Sequence, residues 1–156
     1  MFIVMVGVPG SGKSHIARMI AESHDCEIVS SDECRKKWYG DEEDQTHNKE
    51  LFLRIDELVS RLLDDGKNVI LDATNISRKS RARFVAKKKK HKVDTIAVVV
   101  HTSPETAKER NATRSRTVPD FVIDRQINNF QMPTEEEGFD RVIVIDNENF
   151  ALTHQH

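Results

Sequence analysis

The stretch Phe2-Ile3-Val4-Met5-Val6-Gly7-Val8-Pro9-Gly10-Ser11-Gly12-Lys13-Ser14 decides how this chain is read. Its first five residues are apolar without polar alternation, the pattern of a strand buried on both faces of a parallel sheet. The next eight fit G-x-x-x-x-G-K-[ST], and a helical pattern follows over Lys13 to Ser23. Strand, glycine-rich loop and helix in that order bring successive backbone N–H groups together around phosphate oxygens, with the positive end of the helix dipole behind them. Glycines are required because a Cβ would obstruct that approach. Within this loop, Lys13 is placed to reach the β- and γ-phosphates of a nucleoside triphosphate, and the Ser14 hydroxyl to bind Mg²⁺.

The same alternation continues along the chain. Strand-like runs occur at Glu27 to Val29, Val69 to Leu71, Thr95 to Val100 and Val142 to Ile145. Helical patterns occur at Thr46 to Asp65, closed by Gly66, and at Ser77 to Lys90, Pro104 to Asn111 and Pro119 to Gln131. Ser77 is a candidate N-cap, and Pro119 suits a first helical turn. Strand and helix in alternation predict an α/β class, a mainly parallel β-sheet flanked by helices on both faces, with right-handed crossovers. No repeat or low-complexity linker interrupts the 156 residues, so they are read as a single domain, 1–156.

Three further segments supply candidate chemistry. After the second strand comes Ser30-Ser31-Asp32-Glu33-Cys34-Arg35, and in an open α/β sheet that strand end faces the same crevice as the glycine-rich loop. Asp32 reads either as a helix N-cap or as a base that takes the proton of an acceptor hydroxyl; Arg35, one turn on, suits an anionic acceptor. The third strand ends in Asp72-Ala73-Thr74-Asn75. Asp72 fits a role near Mg²⁺ or in fixing Arg35, against a plain strand-end turn with Asn75 as an Asx-turn. Arg110 and Arg114 lie four apart, one above the other if helical, as a candidate arginine lid over a transferred phosphoryl group or else a solvated face.

The succession Gly-x-x-Gly-x-Gly-Lys-Ser, Asp32-x-x-Arg35, Asp72-x-Thr74-Asn75, Arg110-Asn111-x-x-Arg114 and Val118-Pro119 resembles the kinase domain of the polynucleotide 5′-hydroxyl kinase family. Pro133-x-x-x-Glu137-Gly138-Phe139-Asp140 is similar to the carboxyl end of that domain. The resemblance implies a P-loop NTPase kinase fold, ATP and Mg²⁺ as cofactors, and a single-stranded or end-exposed polynucleotide as acceptor. It implies Asp32 as general base, Arg35 on the acceptor phosphate, Asp72 positioning Arg35, and Arg114 on the donor phosphates. Gly7, Pro9, Gly10, Ser11, Gly12, Lys13, Ser14 and His15 would contact the nucleotide, with Arg110 a weaker member of the set. His15 departs from the threonine often found there. No phosphatase or ligase motif follows, which limits an end-repair role to the kinase step. A metabolite kinase, or an ATPase switch without an acceptor, would use the same loop.

Charge sets limits on the partner. With 24 Lys plus Arg against 26 Asp plus Glu, the formal net charge is −2, which argues against coating nucleic acid by bulk charge. The distribution is uneven, since Ile76 to Arg116 carries 13 basic and 3 acidic residues, or +10, and the remainder −12. Nine of those basic residues fall between Arg78 and Lys92, readable as a phosphate track or as the solvated face of a crossover helix. Trp38 and Tyr39 are candidates for stacking on an acceptor base or for packing. Two cysteines, Cys26 and Cys34, read as reduced thiols, and no apolar run reaches membrane-spanning length, so a cytoplasmic location is expected.

Overall fold

A computed structural model describes residues 1–41, 46–113 and 118–147. Five parallel strands, β1 (Phe2–Val6), β2 (Cys26–Ser30), β3 (Asn68–Asp72), β4 (Thr95–His101) and β5 (Arg141–Asp146), form one sheet in the order β2-β3-β1-β4-β5. All four pairings are parallel. The helices are α1 (Lys13–His24), α2 (Ser31–Tyr39), α3 (Asn48–Asp64), α4 (Arg78–Val85), α5 (Lys87–His91), α6 (Pro104–Ala112) and α7 (Asp120–Asn128). The expected α/β architecture is the observed one. Among the described residues no helix is long and apolar enough to cross a membrane.

The unalternating apolar strands are explained by two cores, one on each face of the sheet. Phe2, Val4 and Val6 of β1 join Val69, Leu71, Ala97 and Val99 under α3 and α4. Ile3 and Met5, pointing the other way, join Ile70, Val98 and Val100 under Ile16 and Ala17 of α1. Every residue of β1 is buried, and at roughly 25 cal/mol per Å² of apolar surface this central strand contributes strongly to the fold. α3 applies the 3.6-residue period: Leu51, Ile55, Val59 and Leu63 are its buried stripe. Gly66, at φ 79°, lies just past its end.

Four local expectations are corrected. Ser30, not Asp32, caps α2: its side chain accepts the Glu33 amide at 3.3 Å, and the strand enters the helix with no loop between. Pro119 lies one residue outside α7 as its N-cap, with ψ 147°. The single helix expected over Ser77 to Lys90 is two, α4 and α5, meeting at Ala86. Arg81 of α4 pairs with Glu137 in the turn Glu135–Glu137, while Lys87 of α5 reaches Asp56 and Ser60 of α3. Ser77 does cap α4, in a reciprocal pair with Ser80. Asn75 forms no Asx-turn; in the left-handed region at φ 48°, it donates from Nδ2 to Met5 O at 2.9 Å and ties the end of β3 to β1.

Candidate active site

The carboxyl ends of β1, β2 and β3 open on one crevice, where the direction of strand succession reverses about β1. The glycine-rich loop leaves β1 there. Gly7 N–H donates to Thr74 O at 3.0 Å, holding the start of the loop against the end of β3. Gly10 and Gly12 have φ of 84° and 90°, which favour glycine, and close contacts require it a second time. A Cβ on Gly10 would stand 2.1 Å from Ala107 O of α6, and one on Gly12 would stand 2.2 Å from Asn147 Nδ2. The loop is therefore wedged between α6 and the segment after β5.

Asn147 and Arg110 form that wedge. Asn147 Nδ2 donates to Ser11 O at 2.6 Å, and Asn147 N–H donates to His101 O at 2.8 Å. Arg110 donates from Nη1 to Ser11 O (3.4 Å) and from Nη2 to Asn147 O (2.8 Å). Arg110, expected as a weaker member of the nucleotide-contacting set, sits beside the loop, and its guanidinium braces loop backbone. Asn147 was missed because a single asparagine after the last strand belongs to no motif. Asn111 holds Val118 from both sides, donating to Val118 O at 2.7 Å and accepting from Val118 N–H at 3.2 Å. Arg114, the expected lid arginine, lies outside the described residues.

One cleft of about 450 Å³ gathers Lys13, Ser14, Asp32, Arg35 and Asp72, together with Pro9. Ser14 Oγ donates to Asp72 Oδ2 at 2.7 Å. Two hard oxygen donors at the mouth of the phosphate loop fit Mg²⁺, which takes one or two protein oxygens and completes its shell with phosphate and water. Across the cleft, Arg35 donates from Nη1 to Asp32 Oδ1 (3.0 Å) and from Nη2 to Asn48 Oδ1 (2.9 Å). Asp72 accordingly bonds to Ser14, and Arg35 is oriented by Asp32 and Asn48 rather than by Asp72. The Arg35 side chain is 7% exposed and that of Asp32 is 37% exposed, so the carboxylate keeps a face toward the cavity. Asp32 lies in the first turn of α2, where the helix dipole favours a negative side chain.

The far wall comes from Val118, Pro119, Val122, Arg125 and Gln126. Arg125 and Gln126 went unnoticed in the sequence because an amphipathic helix does not reveal which polar residues meet a cavity. His15 is exposed on α1 and does not line the cleft. Trp38 and Tyr39 are occupied by protein groups: the Arg54 guanidinium lies 4.1 Å from the Trp38 ring centroid, and His47 stacks on Tyr39 at 4.4 Å. Burial raises the thiol pKa of Cys34, with the Glu33 carboxylate acting in the same direction, and burial likewise raises that of Cys26. Neither thiol is set up as a nucleophile.

Comparison with known proteins points the same way. The chain is 30% identical over 148 residues to a protein of Acanthamoeba polyphaga mimivirus carrying the provisional name bifunctional polynucleotide phosphatase/kinase. It is 27% identical over 145 residues to the bifunctional polynucleotide phosphatase/kinase of Schizosaccharomyces pombe. Each alignment takes in 90% of this chain, but the chain spans about a third (32%) of the length of these curated relatives. In the solved Pnkp1/Rnl/Hen1 RNA repair complex, one chain superposes with a TM-score of 0.74 at 25% identity, covering 86% of this chain and 45% of that one. A sugar kinase from Janibacter superposes at 0.71 with 18% identity, covering 94% of this chain and 84% of that one, which is likeness of fold alone. The resemblance read from the motifs is thus matched by relatives across most of the chain. A family profile described as an AAA domain matches residues 2–133, and the chain belongs to that family.

Proposed function

We propose that this chain is an ATP- and Mg²⁺-dependent phosphotransferase acting on the 5′-hydroxyl end of a polynucleotide. The observation that carries the proposal is the cleft itself, with a phosphate loop on one wall and an ion pair containing a cavity-facing carboxylate on the other. A donor nucleotide lies with its phosphates against the loop amides and Lys13. Mg²⁺, held at Ser14 and Asp72, would neutralise charge between the β- and γ-phosphates. On the opposite wall, Asp32, whose side chain is 37% exposed and lines the cleft, accepts the proton of the attacking hydroxyl. Arg35, fixed by Asp32 and Asn48, takes an anionic group on the acceptor. Arg114 completes the donor side by neutralising charge on the transferred group. The relatives named as polynucleotide kinases support this acceptor class.

Incubation with labelled ATP and 5′-OH oligonucleotides tests the proposal. Label should appear at the 5′ end, require Mg²⁺, and vanish in Lys13→Ala. Efficient labelling of a metabolite with no 5′ label by intact protein would instead make this a metabolite kinase. ATP hydrolysis independent of any acceptor and untouched by Asp32→Ala would make it a nucleotide switch.

A further inference from the structure

A second groove, of about 470 Å³, opens beside the cleft and shares Asn48, Phe52 and Thr74 with it. It runs between the start of α3 and one face of α4. Three cations line it: Lys49 from the first turn of α3, and Lys79 and Arg83 from α4. Lys79 and Arg83 stand four apart, one above the other on the helix surface. All three are exposed, and none has an acidic partner among the described residues.

Their neighbours in the basic run behave differently. Arg81 is fully buried against Glu137, Lys87 is buried against Asp56, and Lys88 pairs with Asp140 at 2.7 Å. The run from Arg78 to Lys92 is therefore neither a uniform phosphate track nor a uniform solvated face. Part of it holds the fold together, and two of its cations meet Lys49 around a groove whose floor includes Phe52 and Phe84.

We infer that this groove carries the single-stranded polynucleotide beyond its reacting end. The inference rests on the acceptor class proposed above. A 5′-terminal nucleotide placed with its hydroxyl at Asp32 and its 3′-phosphate at Arg35 leaves the cleft past Asn48, which is hydrogen-bonded to Arg35 and lines both cavities. Lys49, Lys79 and Arg83 then receive the phosphodiesters that follow, and Phe52 at the junction offers a face to a base. Unpaired cations above an apolar floor suit an anionic backbone bearing stacking bases, in DNA or RNA alike. This chain would thereby prefer an oligonucleotide over a mononucleoside 3′-phosphate, which ends at Arg35.

The test compares these two acceptors, using 5′-OH DNA and RNA oligonucleotides, in the wild-type protein and in a Lys79→Ser/Arg83→Ser double variant. Both residues are exposed, so the fold should survive; Lys49→Ser provides a second probe from another helix. The KM for oligonucleotides should rise about tenfold while kcat holds, and the KM for the mononucleotide should not move. The slope of log affinity against log salt for a 5′-phosphorylated oligonucleotide should fall by about 1.4, one step of about 0.7 for each phosphate contact removed. Oligonucleotide KM unchanged in both variants, or raised equally for the two acceptors, would overturn the groove. If the wild-type protein phosphorylates both acceptors with equal KM, the groove fails and the proposed function stands. If it phosphorylates neither, both fail together.

Discussion

Two arginine–carboxylate pairs in this molecule use the same chemistry for opposite ends. Arg35 and Asp32 meet in the cleft, the arginine 7% and the aspartate 37% exposed. Arg81 and Glu137 meet behind the sheet, at 0% and 4%. The second pair is bidentate, at 2.7 and 3.1 Å, and the third guanidinium nitrogen, Nη1, donates to Asn75 O at 2.8 Å. Each guanidinium nitrogen of Arg81 donates to protein, and the pair holds α4 against the turn Glu135–Glu137. In the cleft pair the arginine is buried, while the carboxylate is partly exposed and lines the cavity. The pairing is alike in both places; what differs is that one carboxylate is partly exposed at a cavity and the other is buried.

Changing the carboxylate of each pair should therefore give opposite signatures. Asp32→Asn, whose Oδ1 can still accept from Arg35, should lower the rate of phosphoryl transfer by about 10²- to 10⁴-fold, the range of a lost general base, with a smaller loss of stability than Glu137→Ala and little change in ATP binding. Labelled-ATP transfer and calorimetry on the same preparation check both halves. Glu137→Ala should leave a buried guanidinium uncompensated and cost about 3–5 kcal/mol in denaturant unfolding, while kcat per folded molecule is retained. A Glu137 variant that loses kcat but not stability, or an Asp32 variant that loses stability but not kcat, would dissolve the contrast.

Smaller effects sharpen it. Lys88 and the Thr95 amide both hydrogen-bond Asp140 and hold its carboxyl below the ordinary carboxylate range. A group whose pKa is depressed by folding stabilises above its unfolded value, near about 3.9, and loses that contribution as pH falls through the folded value. Asp140→Asn should thus flatten the acid limb of the stability–pH curve and leave its neutral-to-alkaline limb parallel to wild type, as read by urea unfolding at a series of pH values. Smallest of all, the Ser11 hydroxyl is buried without a partner among the described residues, so Ser11→Ala should leave stability unchanged or raise it slightly in thermal melts.

How much of this could be read beforehand varied from element to element. The five strands and the loop after β1 were legible because apolar runs and a glycine pattern are local signals. Helix ends were less so: Ser30 and Asp32 are both good caps, and only the strand running straight into α2 selects between them. The segment Glu137-Gly138-Phe139-Asp140 was legible as a motif but not as a function. Its residues pair with Arg81, Lys88 and Thr95 and fill the core with Phe139, and a Cβ on Gly138 would stand 2.5 Å from Val85 Cγ1.

From the amino-acid sequence alone come the class of fold, the phosphate loop, and the residue types at the ends of β2 and β3, since each depends on neighbours a few positions away. Tertiary structure alone decided that Asp72 bonds to Ser14 and Arg35 to Asp32 and Asn48. It also decided that Arg110 and Asn147 brace the loop, and that Arg81, Lys87 and Lys88 of the basic run form ion pairs while Lys79 and Arg83 line a groove. Apart from the Arg35–Asp32 bond, three residues apart, those outcomes depend on burial and on partners 13 to 136 residues away, which side-chain chemistry permits but local spacing does not specify.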